Sequence, residues 1–306
     1  MKALVLGGGS LKGAWQVGAV QAVLEKGFAP EMIYGISAGA LNSAFLVSEA
    51  GKQYRKNGYI DWNSVNKKLI SFWLKNITKP EDVGILKSYW SLGVDTLLSR
   101  FDGLLDVNPL HEKVKKYVTQ EDLQKSPVKI KVGAVNIHTG NMKYASPHEE
   151  HFMEYLRASS SIPVVMPAVQ IGNDNREIYL DGGLREVVPI RKAIEDGATE
   201  IYAIATHPRE RNMTPINHRS LLNLLDRLKD ISVSQLENND IDWAEAYNEN
   251  LVSIYGFSLN RKIKLTVIRP DETVGIKLTD FNLEDIRTAI KSGYIKGDEV
   301  IGREKP

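Results

Sequence analysis

Apolar residues along the chain fall into two rhythms. Short unbroken runs with no polar face, Ala3-Leu4-Val5-Leu6, Met32-Ile33-Tyr34-Gly35-Ile36 and Glu200–Ala205, are expected of buried parallel strands. Longer stretches place apolar residues at helical spacing. One runs from about Ala14 to Glu25, with Val17, Val20, Ala22, Val23 and Leu24, and Gly27 as its stop. Another follows Ser37, and a third, Asn217–Leu236, gathers Leu221, Leu222, Leu224, Leu225 and Leu228 on one side. The opening order of strand, helix, strand, helix predicts a parallel sheet covered by helices. Val128–Asn136 reads as a strand with a hairpin partner at Met142–Ser146, and Val169–Ile171 with Glu177–Leu180 as a second hairpin. Helices are expected at Glu149–Ala158, Pro189–Asp196 and Leu283–Lys291, and a further strand at Ile263–Ile268. The expected fold is a three-layer α/β/α domain over residues 1–306 with a mostly parallel central sheet. A helical insertion is expected at about 52–126 and a helical segment at about 211–250.

Two glycine-rich turns sit where the first two strands end. Gly35-Ile36-Ser37-Ala38-Gly39 joins a strand to a small-residue helix and reads as a nucleophile elbow. The glycines remove side chains that would collide, so that the Ser37 hydroxyl stands above the sheet at a helix N-terminus. The other turn is Gly7-Gly8-Gly9-Ser10-Leu11-Lys12-Gly13. As a dinucleotide fingerprint it fails, because Lys12 stands where the third small residue belongs and no acid closes the next strand. As a Walker loop it fails, because Ala14-Trp15 follows Gly13 in place of lysine and a hydroxyl residue. The remaining reading is an oxyanion cradle built from backbone N–H groups, with Lys12 adding positive charge.

Composition narrows the classes. The chain is 42% hydrophobic and 25% charged with a net charge of +1, which fits a globular protein and argues against a nucleic-acid binder. There is no cysteine, so disulfides, thiolate metal sites and a cysteine nucleophile are excluded. No apolar run reaches the roughly 20 residues of a membrane span. Glycines 7 to 9 cut the first apolar run short of a secretory signal, and Lys2 excludes N-myristoylation, so a cytoplasmic location is expected. Within Lys52–Lys79, seven basic residues (Lys52, Arg55, Lys56, Lys67, Lys68, Lys75 and Lys79) face Asp61 alone, interleaved with Tyr54, Tyr59, Trp62, Phe72 and Trp73. A helical insertion with solvated lysines is the plainer reading, and peripheral contact with an anionic membrane the second. The apolar positions of Ile85–Phe101 (Leu86, Tyr89, Trp90, Leu92, Val94, Leu97 and Leu98) suit the wall of a hydrophobic cleft. Glu237, Asp240, Asp242, Glu245 and Glu249 form an acidic region without lysine or arginine.

Four segments then occur in one order: Gly7–Ala14, Gly35–Gly39, Ala158-Ser159-Ser160-Ser161-Ile162-Pro163 with Pro167, and Asp181-Gly182-Gly183. In this the chain resembles the patatin-like phospholipase family, whose oxyanion loop, nucleophile elbow, serine-proline block and catalytic aspartate motif they match. Lys12 stands where that family more often has arginine, which keeps the charge without the planar fork. The resemblance implies a patatin-like fold and a Ser-Asp dyad. Ser37 would be the nucleophile, Asp181 the general base and then acid, and the N–H groups of Gly8, Gly9 and Ser10 the oxyanion hole. Gly7, Lys12, Gly13, Gly35, Gly39, Gly182 and Gly183 would support them. It implies no metal and no cofactor, and a lipid or other ester as substrate. An acyl transferase on the same dyad and a non-catalytic regulatory protein are the alternatives. A histidine triad is the competing mechanism, with His207 or His218 as its base, although all six histidines (His111, His138, His148, His151, His207 and His218) read as surface or packing residues.

Overall fold

The first two apolar runs become neighbouring strands. β1 (Lys2–Leu6), α1 (Gly13–Glu25), β2 (Met32–Ile36) and α2 (Ala38–Asn57) form the expected opening. The computed structural model describes residues 1–88, 93, 101–210, 216, 218–249, 253–254, 257–258 and 262–303. The cleft-wall positions Tyr89, Trp90, Leu92, Val94, Leu97 and Leu98 therefore lie outside the described residues. So do residues 211–215, 217 and 250 of the expected helical segment, and the side chains of Leu221 and Leu222. Next come α3 (Trp62–Asn76), the two-residue strands β3 (Ile85–Leu86) and β4 (Leu105–Asp106), α4 (Asn108–Tyr117) and α5 (Gln120–Gln124). β5 (Lys129–Asn136), β6 (Met142–Ala145), α6 (Phe152–Ser159), β7 (Val169–Gln170) and β8 (Ile178–Asp181) build the far side of the sheet. The chain returns through α7 (Ile190–Glu195), β9 (Glu200–Ile204), α8 (Leu221–Glu249), the ribbon of β10 (Ser253–Ile254) and β11 (Phe257–Ser258), β12 (Lys264–Ile268) and α9 (Leu283–Arg303).

The main sheet runs β12-β9-β1-β2-β5-β8-β7, with β6 also on β5. From β12 to β5 every pairing is parallel, and β6, β8 and β7 add antiparallel neighbours. Helices cover both faces, giving the three-layer α/β/α arrangement. Alternation along β1 shows why: Leu4 and Leu6 join the core that α1, α2 and α9 share, whereas Ala3 and Val5 join the core with α7 and α8. The register decides where the chemistry falls. Leu6 pairs with Gly35, so the loops after β1 and β2 leave the sheet side by side. Ile36 pairs with Gly133, and Ala134 with Asp181, which brings the end of β8 to the same edge.

Three expectations are corrected. α2 runs past the insertion's expected start at Lys52 to Asn57 and stops at Gly58, whose φ of 77° makes it a left-handed cap. Lys52 and Lys68 reach Glu49, and Arg55 reaches Asp122, so part of that stretch's positive charge is paired. α8 does not end near Leu236. With no glycine or proline from 221 to 249, it continues through the acidic stretch, where Glu237 and Asp240 find partners in the fold. α9 runs past Lys291 to Arg303, because Gly293 and Gly297 press against α1 instead of ending the helix; a Cβ on Gly293 would stand 1.8 Å from the Trp15 carbonyl oxygen.

Candidate active site

Ser37 sits on the sharp turn between β2 and α2 with φ 56° and ψ −127°, backbone angles that an L-residue adopts only under strain. Its surroundings hold it there. Its N–H donates to Ser159 Oγ at 3.1 Å, and its carbonyl accepts from Ala40 N at 2.9 Å. The flanking glycines are close-approach sites: a Cβ on Gly39 would lie 2.1 Å from the Leu6 carbonyl oxygen, and one on Gly35 2.5 Å from that of Gly39.

Asp181 ends β8, and its side chain accepts from the Gly183 N–H at 2.8 Å. Its own N–H donates to the Ser161 carbonyl at 3.0 Å. The serine block after α6 therefore holds both groups, Ser159 gripping the Ser37 backbone and Ser161 that of Asp181. Both side chains are buried, and the Ser37 hydroxyl lies close enough to the Asp181 carboxyl to favour its charged form. Burial pushes that carboxyl up to about 6, against the opposing effects of Ser37, the Gly183 hydrogen bond and the more distant charge of Lys229.

The glycine loop is tied at both ends. Gly7 N–H donates to Ile204 O at 2.9 Å and Gly8 N–H to Val187 O at 3.0 Å. Gly8 is thus corrected as an oxyanion donor, because a carbonyl just before α7 already takes its hydrogen. The N–H groups of Gly9 and Ser10 have no acceptor among the described residues, and Ser10 has φ 54°. Thr206 Oγ1 donates to Gly8 O at 2.6 Å, and a Cβ on Gly9 would meet that oxygen at 2.2 Å. Gln16 Nε2 reaches Gly7 O at 3.0 Å from the other side, and Asn42 Nδ2 bonds Gly13 O at 3.1 Å and Gln16 Oε1 at 3.0 Å.

Lys12 does not simply lend positive charge to the loop. It is buried, with Nζ 2.6 Å from Asp230 Oδ1 and 2.7 Å from His207 Nε2. His207 Nδ1 lies 3.1 Å from Glu237 Oε2, and Glu237 Oε1 accepts the His207 N–H at 2.9 Å. Burial raises the Asp230 carboxyl, but His207 and Lys12 outweigh it and hold the group well below the usual carboxylate range. His207 is therefore neither a surface residue nor a triad base, since its ring nitrogens are committed to Lys12, Asp230, Glu237 and Thr206. His218 is exposed, and His111 is buried, pushed down to about 4 by burial and the nearby Arg157 charge. The sequence reading missed Asp230, Glu237 and Thr206. The one signal available was the seven-residue spacing of Asp230 and Glu237, which puts two carboxylates on one helix face.

Two cavities meet at Ser37 and Ser10. The first, about 60 Å³, is apolar and walled by Phe45, Leu69, Phe72, Trp73, Val114 and Met166. The helices of the expected insertion line it. The second, about 400 Å³, opens under α8 between Asp181, Lys12, Val164, Leu184, Leu228 and Lys229. Among the described residues no group of three or more His, Asp or Glu is placed to hold a metal ion. The site thus gathers a strained serine, a buried carboxyl and two backbone N–H groups beside an apolar slot.

This chain belongs to the patatin-like phospholipase family, whose sequence profile matches residues 4–194 and so takes in all four motifs. Among curated proteins it is similar to the uncharacterized protein YjjU of Escherichia coli (strain K12), 27% identical over 70% of this chain and 54% of YjjU. It is also similar to the uncharacterized protein YqhO of Bacillus subtilis (strain 168), 24% identical over 86% of this chain and 93% of YqhO. The chain thus spans about half the length of YjjU and nearly all of YqhO. Among solved structures, VipD from Legionella pneumophila aligns with a TM-score of 0.44 and 15% identity, covering 99% of this chain and 67% of that one. The SpcU–ExoU complex of Pseudomonas aeruginosa aligns at 0.38 and 14%, covering 99% and 52%.

Proposed function

We propose that the protein is a serine-dependent lipid acyl hydrolase that cleaves carboxylic ester bonds through an acyl-enzyme on Ser37. What carries the reading is Ser37, held on its strained turn, beside a buried carboxyl raised to about 6, at the mouth of an apolar slot. A serine hydroxyl attacks well only when a base takes its proton, and a carboxyl of this strength is far better suited to neutral pH than an ordinary aspartate. The Asp181 carboxylate accepts the Ser37 proton as Oγ bonds to the ester carbonyl carbon. The developing oxyanion lies toward the N–H groups of Gly9 and Ser10. Collapse breaks the ester C–O bond, and Asp181 returns the proton to the departing alcohol. Water, deprotonated by the same carboxylate, then releases the fatty acid and restores Ser37. The acyl chain occupies the apolar slot, and the alcohol side of the ester faces the open cavity under α8. The chemistry as written needs no metal or cofactor.

Hydrolysis of p-nitrophenyl esters of rising acyl length, by wild type, Ser37→Ala and Asp181→Asn, tests this. The expected result is turnover by wild type and a loss of about 10³-fold or more in both variants, each retaining its thermal midpoint. An inert wild type on every ester and phospholipid would end the hydrolase reading. Products formed with glycerol or a lysolipid present would distinguish transfer to an alcohol from transfer to water.

A further inference from the structure

Most large apolar side chains of this protein are buried, and those that are not are unevenly placed. Of the twelve large hydrophobic residues exposed among the described residues, three line the open cavity, Ile231 shares α8 with one of them, and Ile85 and Leu86 lie on the ribbon bonded to the Val164 turn. Val164, Leu184 and Leu228 line the cavity mouth itself. On α8, Leu224, Leu228 and Ile231 follow at four and three residues, so they form one stripe beside the residues that face the cavity. Lys87 N–H donates to Leu104 O, and Leu104 N–H is shared by Val164 O at 3.1 Å and Val165 O at 3.0 Å. This sets the β3–β4 ribbon, with Ile85 and Leu86, against the Val164 turn.

Val164 adds an independent observation. Its φ is 67°, a left-handed conformation that is a genuine outlier for a β-branched residue, and its side chain is nonetheless 48% exposed. The strain is not offset by burial of the isopropyl group. Charge supplies the third. Three of the exposed leucines are each followed by a cation: Leu86-Lys87, Leu184-Arg185 and Leu228-Lys229. An apolar side chain paired with a neighbouring basic one suits a lipid–water boundary, where the first enters the acyl layer and the second stays among phosphates.

From these we infer that the rim of the open cavity is a docking face for an anionic lipid bilayer. This rests on the hydrolase reading for its purpose but not for its geometry. The face surrounds the active-site entrance, so a docked molecule delivers its ester from the membrane to Ser37 without crossing water. It lies on other segments than the Lys52–Lys79 stretch, where Lys52, Arg55 and Lys68 are already paired.

Co-sedimentation with phosphatidylcholine vesicles containing phosphatidylglycerol tests the face, using the full chain with Ser37→Ala so that lipid is not consumed. Lys87→Glu and Arg185→Glu together should weaken binding by at least about 25-fold, at about fivefold per basic residue lost. Leu86→Asp with Ile231→Asp should weaken it comparably, whereas Lys67→Glu with Lys75→Glu should change it less than threefold. The Leu86 and Ile231 variants, made in active protein, should still turn over a short water-soluble ester. Several outcomes overturn the proposal: no vesicle binding by the parent protein, binding lost only in the Lys67 and Lys75 variant, or a solution dimer that Leu86→Asp and Ile231→Asp convert to monomer. The first of these with normal ester turnover leaves the hydrolase reading standing. Vesicle binding through the rim with no turnover of any ester removes that reading and leaves the face.

Discussion

The two cavities that meet at Ser37 are built by opposite means. The smaller, apolar one is walled by side chains from α2, α3 and α4, and shape and desolvation are what it chiefly offers. The open one is bounded by charged groups that are themselves bound: Lys12 to Asp230, His207 between Asp230 and Glu237, Asp181 to Gly183. On the proposed reading, the first would grade substrates by how much chain they bury. The second holds the loop, the base and the entrance in fixed relation. Alteration on the two sides should therefore leave different kinetic signatures, one dependent on acyl length and the other not.

The largest effect is expected at the loop. Gly9→Ala places a Cβ against Thr206 Oγ1, which must push Gly9 and Ser10 away from the oxyanion position. Turnover should fall by about 10²–10³-fold for every ester alike, with little change in KM. A loss confined to long esters would break the division between the cavities. Lys12→Met comes next. Removing one partner of a buried ion pair leaves Asp230 to His207 and the more distant Arg227, and denaturant unfolding should show a loss of about 3 kcal/mol. Lys12→Arg should recover part of it. An unchanged midpoint in Lys12→Met would mean that the network does not brace the loop.

Acid gives the third test. Asp181 accepts a proton only as the carboxylate, and burial has raised it to about 6, so the protonated and inactive form dominates below that pH. The kcat/KM of a soluble ester should rise about tenfold per pH unit up to a midpoint near 6 and then level off. A rate already flat from pH 5 would assign the base elsewhere. The smallest effect belongs to the smaller, apolar cavity. Each added CH₂ should raise kcat/KM about fourfold until the slot is full. Leu69→Trp should bring that plateau to shorter chains and leave short esters untouched.

What the sequence disclosed follows the same line. The Ser37 and Asp181 turns were legible because their signals are local. Ser37 lies in a five-residue turn and Asp181 before two glycines. Phe72 and Trp73 follow Leu69 at three and four residues and so share its face of α3, although the sequence reading placed the cleft wall on Ile85–Phe101 instead. The bracing of the open cavity was not legible. The carbonyl that occupies Gly8 comes from Val187, and the partners of Lys12 come from residues 207 and 230, with nothing near residue 12 to announce them. His207 looked like an ordinary packing residue for that reason. The acidic run after Leu236 looked like the end of a helix, although the absence of any breaker before 249 was the better guide. Carboxylates buried on a helix face are partnered across the fold, and sequence spacing shows the face without showing the partner.

The account stands most directly on one measurement, the mass of the protein after reaction with a long-chain p-nitrophenyl phosphonate. Phosphonylation transfers the inhibitor to whichever hydroxyl acts as nucleophile and releases p-nitrophenol, so it reports the nucleophile without requiring the natural substrate. The expected result is a single adduct on the peptide containing Ser37, absent in Ser37→Ala and formed at least about 10²-fold more slowly in Asp181→Asn. An adduct on another residue, or equal rates in wild type and Asp181→Asn, would contradict the Ser37–Asp181 pair as the reacting centre.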